Sequence, residues 1–179
     1  SAEPPQRLRE LALNHQQQVT EALELLDDKV IPELSHLRPA TGNADVHYYE
    51  GDDGIELVLK DILSTVSEQE NRSYCIYSAK AIRKYLYRPF PNYTRQRVKM
   101  GIKVKVIAIG EGGEEAALAD RKWINEPSSD RAGSYIAIYP PKVAMISLSH
   151  GDLPTAVVIN SPTIANTQQV IFNTLWESL

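Results

Sequence analysis

The sequence YIAIYPPKVAMISLSHGDLPTAVVI, from Tyr135 to Ile159, decides the fold class of this 179-residue chain. It contains three apolar runs rich in β-branched residues, which are separated by the turn signals Pro140-Pro141 and Gly151-Asp152. Runs of this length and composition between turn residues are typical of strands. We therefore predict three consecutive strands in a meander: Tyr135–Tyr139, Val143–Leu148 and Ala156–Ile159.

The segment that follows the meander predicts a helix. Ser161 is a favourable N-cap residue, and Pro162 suits the first helical position. An apolar stripe at helical spacing, interrupted by Gln168, is expected to face the core. Its members are Ile164, Ile171, Phe172, Leu175 and Trp176.

Before the meander, predicted strands alternate with predicted helices. The strands are 46–49, 73–78 and 102–109, and helices are expected after Gly54, after Lys80, before Gly101 and over Glu114–Arg121. Helices that alternate with strands and are followed by a late meander predict an α/β domain over residues 44–179. Its sheet should have mixed strand directions and helices at its flanks.

Residues Gln6–Leu37 predict one long helix with the apolar stripe of a coiled coil. Apolar residues recur at steps of three and four, with His15 as a polar interruption. Pro32 lacks a backbone donor, so a kink or break is expected near it. Residues 1–40 should therefore either pack along their own domain or, as we favour, pair with a second copy to form a homodimer. The residues expected at the dimer interface are Leu8, Val19, Leu23, Leu26 and Val30.

Charge is distributed unevenly along the chain. Residues 45–70 contain eight acids and one base, whereas residues 72–105 contain ten bases and no acid. The basic stretch can be a solvated surface that complements the acidic stretch, a site for a small anion, or a surface for a nucleic-acid backbone. The overall net charge of −4 weakens the nucleic-acid interpretation.

The sequence offers little support for catalysis or metal binding. Its single cysteine, Cys75, excludes an internal disulfide and a cysteine-built zinc site. Gly110-Glu111-Gly112-Gly113 departs from a dinucleotide-binding loop because Glu115 occupies the third glycine position. The segment Ser147–Asp152 lacks the strand–turn–helix context of a hydrolase nucleophile and predicts a hairpin turn. We expect no metal and no cofactor.

The chain contains no apolar run long enough for a membrane span. Its start, Ser1-Ala2-Glu3-Pro4-Pro5, has neither an initiator Met nor the layout of a signal peptide. We therefore expect a cytoplasmic protein from which an N-terminal domain has been removed.

Several segments resemble the regulatory part of TrmB-like transcription regulators. Tyr48-Tyr49-Glu50-Gly51-Asp52-Asp53-Gly54-Ile55 resembles the start of the C-terminal domain in that family, and Tyr93–Lys105 is similar to its helix-to-strand passage. The segments Ile138–Ala144 and Thr163–Trp176 continue the similarity. The family plan is a winged helix, a coiled-coil helix and a phospholipase D-like α/β domain. The resemblance implies the last two parts, with DNA contacted only through the winged helix that these residues lack.

Two departures limit what the resemblance implies. Phospholipase D-type catalysis uses the motif H-x-K-x-x-x-x-D, but no histidine in this chain has lysine two positions later; the occupants are Gln17, Arg38, Tyr49 and Asp152. A similar fold without that chemistry is therefore expected. Sugar-responsive members carry an additional C-terminal segment, so sugar specificity cannot be transferred to this chain.

These observations together favour a regulatory and dimerisation domain that is not an enzyme. It is expected to bind a small anionic or sugar-like effector near the strand ends. The candidate ligand-binding residues are Glu50, Ser78, Lys80 and Arg97. A protein–protein adaptor without a ligand and a diverged phosphodiesterase are the alternatives.

Overall fold

The computed structural model describes residues 6–30, 45–110, 116–124, 133–149 and 152–179. The chain divides into two compact units, residues 1–42 and residues 43–179. Each unit is described separately below.

The first unit contains a long helix. Helix α1 spans Gln6–Leu25, and a π-helical turn, Leu26–Val30, follows it directly. The predicted helix is therefore present from Gln6 to Val30, and its predicted continuation to Leu37, with the kink at Pro32, lies outside the described residues.

The second unit is built on a seven-stranded sheet. The strands are β1 (Asp45–Glu50), β2 (Ser73–Ala79), β3 (Lys103–Ile109), β4 (Ala119–Ile124), β5 (Tyr135–Tyr139), β6 (Lys142–Leu148) and β7 (Pro154–Asn160). Their order across the sheet is β1-β7-β6-β5-β2-β3-β4. Strands β2, β3 and β4 pair in parallel, and all the other pairings are antiparallel. The predicted α/β class, the mixed sheet and the late meander are confirmed.

Helices cover both faces of this sheet. They are α2 (Gly51–Ser67), α3 (Arg83–Tyr87), α4 (Tyr93–Lys99) and α5 (Pro162–Ser178). Alternate residues of β2 belong to two separate apolar clusters, because successive strand side chains point to opposite faces. Tyr74 and Ile76 pack with residues of α2, α3 and α4, whereas Cys75 packs with Phe172 of α5.

A polar contact connects α2 to the meander. Asp61 of α2 accepts a 2.9 Å hydrogen bond from the Tyr139 hydroxyl and a 2.6 Å hydrogen bond from Lys142 Nζ. The Tyr139 side chain is completely buried, and burial together with the negative charge of Asp61 raises its pKa. Since a buried hydroxyl without a partner is costly, this contact fixes the position of α2 on the sheet.

Glycine allows two sharp changes of chain direction. Gly51, between β1 and α2, has a φ of +72°, and Gly101, after α4, has a φ of +69°. Both values lie in the left-handed region, which side chains with a Cβ rarely adopt. The predicted C-terminal cap at Gly101 is confirmed, and it returns the chain directly into β3.

Two local predictions differ from the structure. The described part of the predicted helix Glu114–Arg121 contains no helix, because residues from Ala119 onward form β4, whose parallel pairing with β3 overrides local propensity. In α5 the predicted cap is confirmed, since Ser161 Oγ accepts a hydrogen bond from the Ile164 backbone N–H. The buried stripe is narrower than predicted: Phe172 is buried, but Ile171 is 50% exposed.

Candidate functional site: an arginine and tyrosine cavity

A cavity of about 830 Å³ lies between the sheet and helices α2, α3 and α4. This volume falls within the range of about 300–1,000 Å³ that is usual for small-molecule sites. Strands β2 to β5 supply its wall, and α3 and α4 supply most of its cover. The polar residues that line it are Ser78, Thr94, three arginines (Arg83, Arg97 and Arg121) and four tyrosines (Tyr74, Tyr87, Tyr93 and Tyr135).

Three of the tyrosines form a buried cluster at the cavity. The hydroxyls of Tyr74 and Tyr93 are 2.9 Å apart, and the buried Tyr135 lines the same cavity. Burial raises the pKa of Tyr74 to about 12, and it raises the pKa of Tyr93 and Tyr135 well above the usual value for tyrosine. The three side chains are therefore neutral phenols at physiological pH, so they offer hydroxyl groups and aromatic surface to a ligand.

Arg97 stabilises the base of this cavity. It is 2% exposed, and its guanidinium donates hydrogen bonds to three backbone carbonyls: Ile102 (2.7 Å), Leu118 (2.9 Å) and Ala117 (2.8 Å). These carbonyls precede β3 and β4, so Arg97 holds the starts of two strands together. A guanidinium has five N–H donors in a planar arrangement, and those of Arg97 are largely occupied by the protein itself.

Arg83 and Arg121 are placed differently. Both are partly exposed, and they approach the cavity from α3 and from β4 respectively. Burial and the like charge of Arg121 lower the pKa of Arg83. Within the described residues, no acidic side chain lines the cavity. The described lining therefore has an excess of positive charge.

The cavity brings together two of the four predicted ligand-binding residues. Ser78, which is buried on β2, and Arg97 both line it. Glu50 and Lys80 are exposed and are not among its lining residues. Glu50 lies on β1, opposite Thr155 of β7, and β1 is separated from β5 by the two strands β7 and β6. A ligand role for these four residues stays a prediction.

The structure describes four of the five predicted dimerisation side chains. Leu8 is 71% exposed, Val19 48%, Leu23 54% and Leu26 44%. Val30 ends the π-helical turn, and its side chain lies outside the described residues. Pairing through these residues also stays a prediction.

Two polar residues of the cavity, Arg121 and Tyr135, lie outside the basic stretch 72–105, and the sequence did not indicate either as a site residue. Arg121 was expected on a helix, and Tyr135 was expected only as part of a strand. Val106 of β3 pairs with Arg121, and Ser78 of β2 pairs with Tyr135. Knowledge of how β2, β3, β4 and β5 pair would have placed both residues on the same face of the sheet.

The basic stretch 72–105 is dispersed in the structure. Arg88 forms a two-point ion pair with Asp52, which belongs to the acidic stretch. Arg83 and Arg97 line the cavity, and the Lys105 ammonium lies 5.5 Å from the Trp176 ring centre, on the α5 face of the sheet. Part of the basic stretch therefore lines the cavity, and another part pairs with the acidic stretch.

The described residues contain no group of three or more histidine, cysteine or carboxylate side chains that could hold a metal ion. His47 lies on β1, where its Nε2 is 3.0 Å from Asp45. Of the helices in these same segments, none combines the length and the hydropathy required to cross a membrane.

Comparison with known proteins identifies the fold. No protein-family model and no curated protein matches the sequence. Among solved structures, NucT from Helicobacter pylori matches 76% of this chain and 98% of its own, with a TM-score of 0.53 and 11% identity. The fold of the α/β unit is phospholipase D-like. The fold predicted from the resemblance is confirmed.

Two further structures match with lower TM-scores. The phospholipase D family member Nuc from Salmonella typhimurium matches 75% of this chain and 95% of its own, at 19% identity and a TM-score of 0.46. The archaeal chromatin protein TrmBL2 matches 99% of this chain and 71% of its own, at 16% identity and a TM-score of 0.49.

Proposed function

We propose that this chain is the regulatory and dimerisation part of a transcription regulator, and that its α/β unit binds a small anionic effector. The observation that carries the proposal is the exposed apolar stripe of α1, which supports pairing. The cavity of the other unit, whose lining suits an anion, supports effector binding. The sequence resemblance to TrmB-like regulators supports the same conclusion. DNA contact would belong to a winged helix outside these residues.

Pairing through α1 explains an otherwise unfavourable surface. The stripe residues Leu8, Val19 and Leu23 of α1, and Leu26 of the π-helical turn that follows it, are 44–71% exposed. Soluble proteins rarely expose a contiguous apolar stripe of this kind unless it binds a partner. The three–four spacing matches the seam of a coiled coil, for which a second copy is the simplest partner.

Mass measurement in solution tests the pairing. We expect sedimentation equilibrium to give the mass of two chains, and Leu23→Glu to shift the protein to the mass of one. Gln17→Glu introduces the same charge on the opposite side of α1 and should leave the dimer intact. A strict monomer for the unmodified chain with α1 folded, or equal effects of both substitutions, would count against the proposal.

The cavity supports the sensing part of the proposal. It lies under α3 and α4, and its lining combines apolar surface, phenol hydroxyls and guanidinium groups. An effector there would favour one arrangement of α3 and α4 over another. In a regulator such a shift would be transmitted through the paired helices to the attached DNA-binding domains.

The sequence supports a non-catalytic role. The fold is shared with phospholipase D family members, which are enzymes. The H-x-K motif of that chemistry is nevertheless missing at all four histidines. We expect no hydrolysis of bis(p-nitrophenyl) phosphate above background. Turnover that disappears on changing His47 or His150 would instead favour a diverged phosphodiesterase.

A further inference from the structure

The cavity has a polar end that is formed by Ser78 of β2 and Arg83 of α3. Both residues line the cavity, and Arg83 Nη2 lies 3.4 Å from the Ser78 carbonyl oxygen. This distance places the guanidinium at the end of β2. Because side chains two residues apart on a strand point to the same face, the Ser78 side chain lies on the face of Tyr74 and Ile76, toward the cavity.

Arg83 is a partly buried cation without a carboxylate partner among the described residues. No acidic side chain of those segments lines the cavity, and the 3.4 Å contact with the Ser78 carbonyl is longer than an ordinary hydrogen bond. Arginine is rarely buried in proteins unless its charge is paired. Arg88, on the same side of the sheet, illustrates such pairing through its two contacts with Asp52. Arg83 therefore retains donors and charge for a ligand.

The Ser78 hydroxyl is a second group that a ligand can use. Ser78 is 5% exposed, and within the described residues its hydroxyl takes part in no hydrogen bond. Every completely buried polar side-chain atom in these segments has a partner, so the hydroxyl oxygen is reached from the cavity. A largely buried hydroxyl is stabilised when it gains a hydrogen-bond partner. A ligand at the polar end of the cavity can supply that partner.

The guanidinium and the hydroxyl together match the oxygens of a carboxylate. A single guanidinium binds both carboxylate oxygens through two parallel hydrogen bonds, and a serine hydroxyl can donate to one of the same oxygens. A phosphate group presents three terminal oxygens and up to two charges, so it requires more donors. The other arginines of the lining are engaged: Arg97 donates to three carbonyls at 2.7–2.9 Å, and Arg121 has an interaction partner of its own.

The remainder of the lining is suited to an apolar body that contains a ring. Ile76 of β2 pairs with Val106 of β3, and Val104 lies on the same face two residues before Val106. The rings of Tyr74 and Tyr93 line the same cavity. Aromatic rings pack favourably against one another in offset or edge-to-face arrangements. The cavity volume of about 830 Å³ leaves room for such a body.

We propose that the cavity binds a small aromatic monocarboxylate, with its carboxylate on the Arg83 guanidinium and the Ser78 hydroxyl. Its ring lies over the isoleucine and valine side chains of β2 and β3, beside the buried tyrosines. This inference rests on the proposed sensing function and names the chemical class of the effector. Neither of the other two arginines of the lining is required for the contact.

Calorimetric titration of the full chain tests the chemical class. The aromatic acids are indole-3-acetate and 4-hydroxyphenylacetate. Their amides have the same shape without the charge, acetate has the charge without the ring, and 1-naphthyl phosphate has a ring with a different anion. We expect at least one of the two acids to bind, and to bind about tenfold or more tightly than its amide, acetate or the phosphate.

Substitutions test the assigned contacts. Arg83→Gln should weaken binding of the acid about tenfold or more, because it removes a charge-assisted pair of hydrogen bonds. Ser78→Ala should weaken binding about threefold or more, because it removes a neutral hydrogen bond. Arg83→Lys should recover only part of the affinity lost in Arg83→Gln, since an ammonium lacks the two parallel donors.

Lys84→Gln is the matched control for Arg83→Gln. Lys84 neighbours Arg83 on α3 and is exposed, but it does not line the cavity. Removal of its charge should change the affinity for the acid less than about twofold, as for a surface charge outside the site. Far-ultraviolet circular dichroism of every variant checks that the fold is retained.

The outcomes separate this inference from the function on which it rests. Tight binding of the naphthyl phosphate alone would overturn the carboxylate class but keep anion sensing. Equal affinity for an acid and its amide would overturn the charged contact, and equal losses in Arg83→Gln and Lys84→Gln would overturn the assigned site. No binding of any probe by a chain that still forms a dimer through α1 would overturn the inference and leave only the pairing part of the proposed function.

Discussion

The hydroxyl groups of Tyr74 and Tyr93 lie 2.9 Å apart and form a hydrogen bond between β2 and α4. This contact connects the sheet to one of the helices that cover the cavity. Both rings are almost completely buried. The two hydroxyls therefore satisfy each other's hydrogen bonding where the rings are buried.

The buried tyrosines predict that the protein loses stability at alkaline pH. Burial raises the pKa of Tyr74 from 10.0 to about 12, and it also raises the pKa of Tyr93, Tyr135 and Tyr139. Above pH 10 the unfolded chain releases phenol protons that the folded chain still holds. Their contribution to stability is thus complete below pH 10 and is lost as pH rises toward 12 and beyond. Each such tyrosine should lower the free energy of unfolding by about 1.4 kcal/mol per pH unit in this range.

Urea unfolding between pH 9 and pH 11.5 measures this effect. Tyr74→Phe removes one of the groups and should reduce the slope, whereas Tyr48→Phe, on an exposed residue of β1, should leave it unchanged. Phenolate absorbance at 295 nm should also show a set of tyrosines that ionises only on unfolding. A slope that is identical in Tyr74→Phe and the unmodified protein would refute the assignment to Tyr74.

Arg97 predicts a large loss of stability on substitution. Arg97→Ala leaves the carbonyls of Ile102, Ala117 and Leu118 without their donors in the protein interior. We expect a decrease of about 3 kcal/mol or more in the free energy of unfolding, measured by urea denaturation. Arg97→Lys should recover only part, since an ammonium cannot reproduce the planar set of donors.

The control for Arg97 is Arg95→Ala on the same helix. The Arg95 side chain is exposed, so its removal should change the free energy of unfolding by no more than about 0.5 kcal/mol. If Arg97→Ala were as mild as Arg95→Ala, the structural role assigned to Arg97 would be wrong, and a direct role in ligand binding would become the better explanation for its charge.

Replacement of glycine by alanine should affect stability differently at Gly51, where β1 leads into α2, and at Gly133. Gly51 has a φ of +72°, and a Cβ at this position would contact no atom within 4 Å, so its effect would be purely conformational. Gly51→Ala should destabilise the protein by about 1–2 kcal/mol. Gly133→Ala, also in open space but without a positive φ, should be neutral or slightly stabilising. Thermal unfolding of the two variants measures the difference, and equal midpoints would contradict it.

The sequence alone identified most of the elements of this protein. Apolar runs, turn residues and helix caps depend on neighbours along the chain, so Tyr135–Ile159 predicted the meander and Ser161 predicted the start of α5. The prediction of a helix over Glu114–Arg121 was wrong because the local preference of these residues is helical, whereas pairing with β3 makes the residues from Ala119 onward a strand.

Only the tertiary structure decided which side chains form the cavity. Strand pairing determines which residues of β2, β3, β4 and β5 point to the same face, and it involves residues far apart in the sequence. It placed Arg121 and Tyr135 in the same cavity as Tyr74, and it placed Arg97 against three backbone carbonyls. The basic stretch predicted that an anion site was possible. Only the fold showed that Arg97 also supports the backbone, because its hydrogen bonds to carbonyls before β3 and β4 depend on packing that no local pattern encodes.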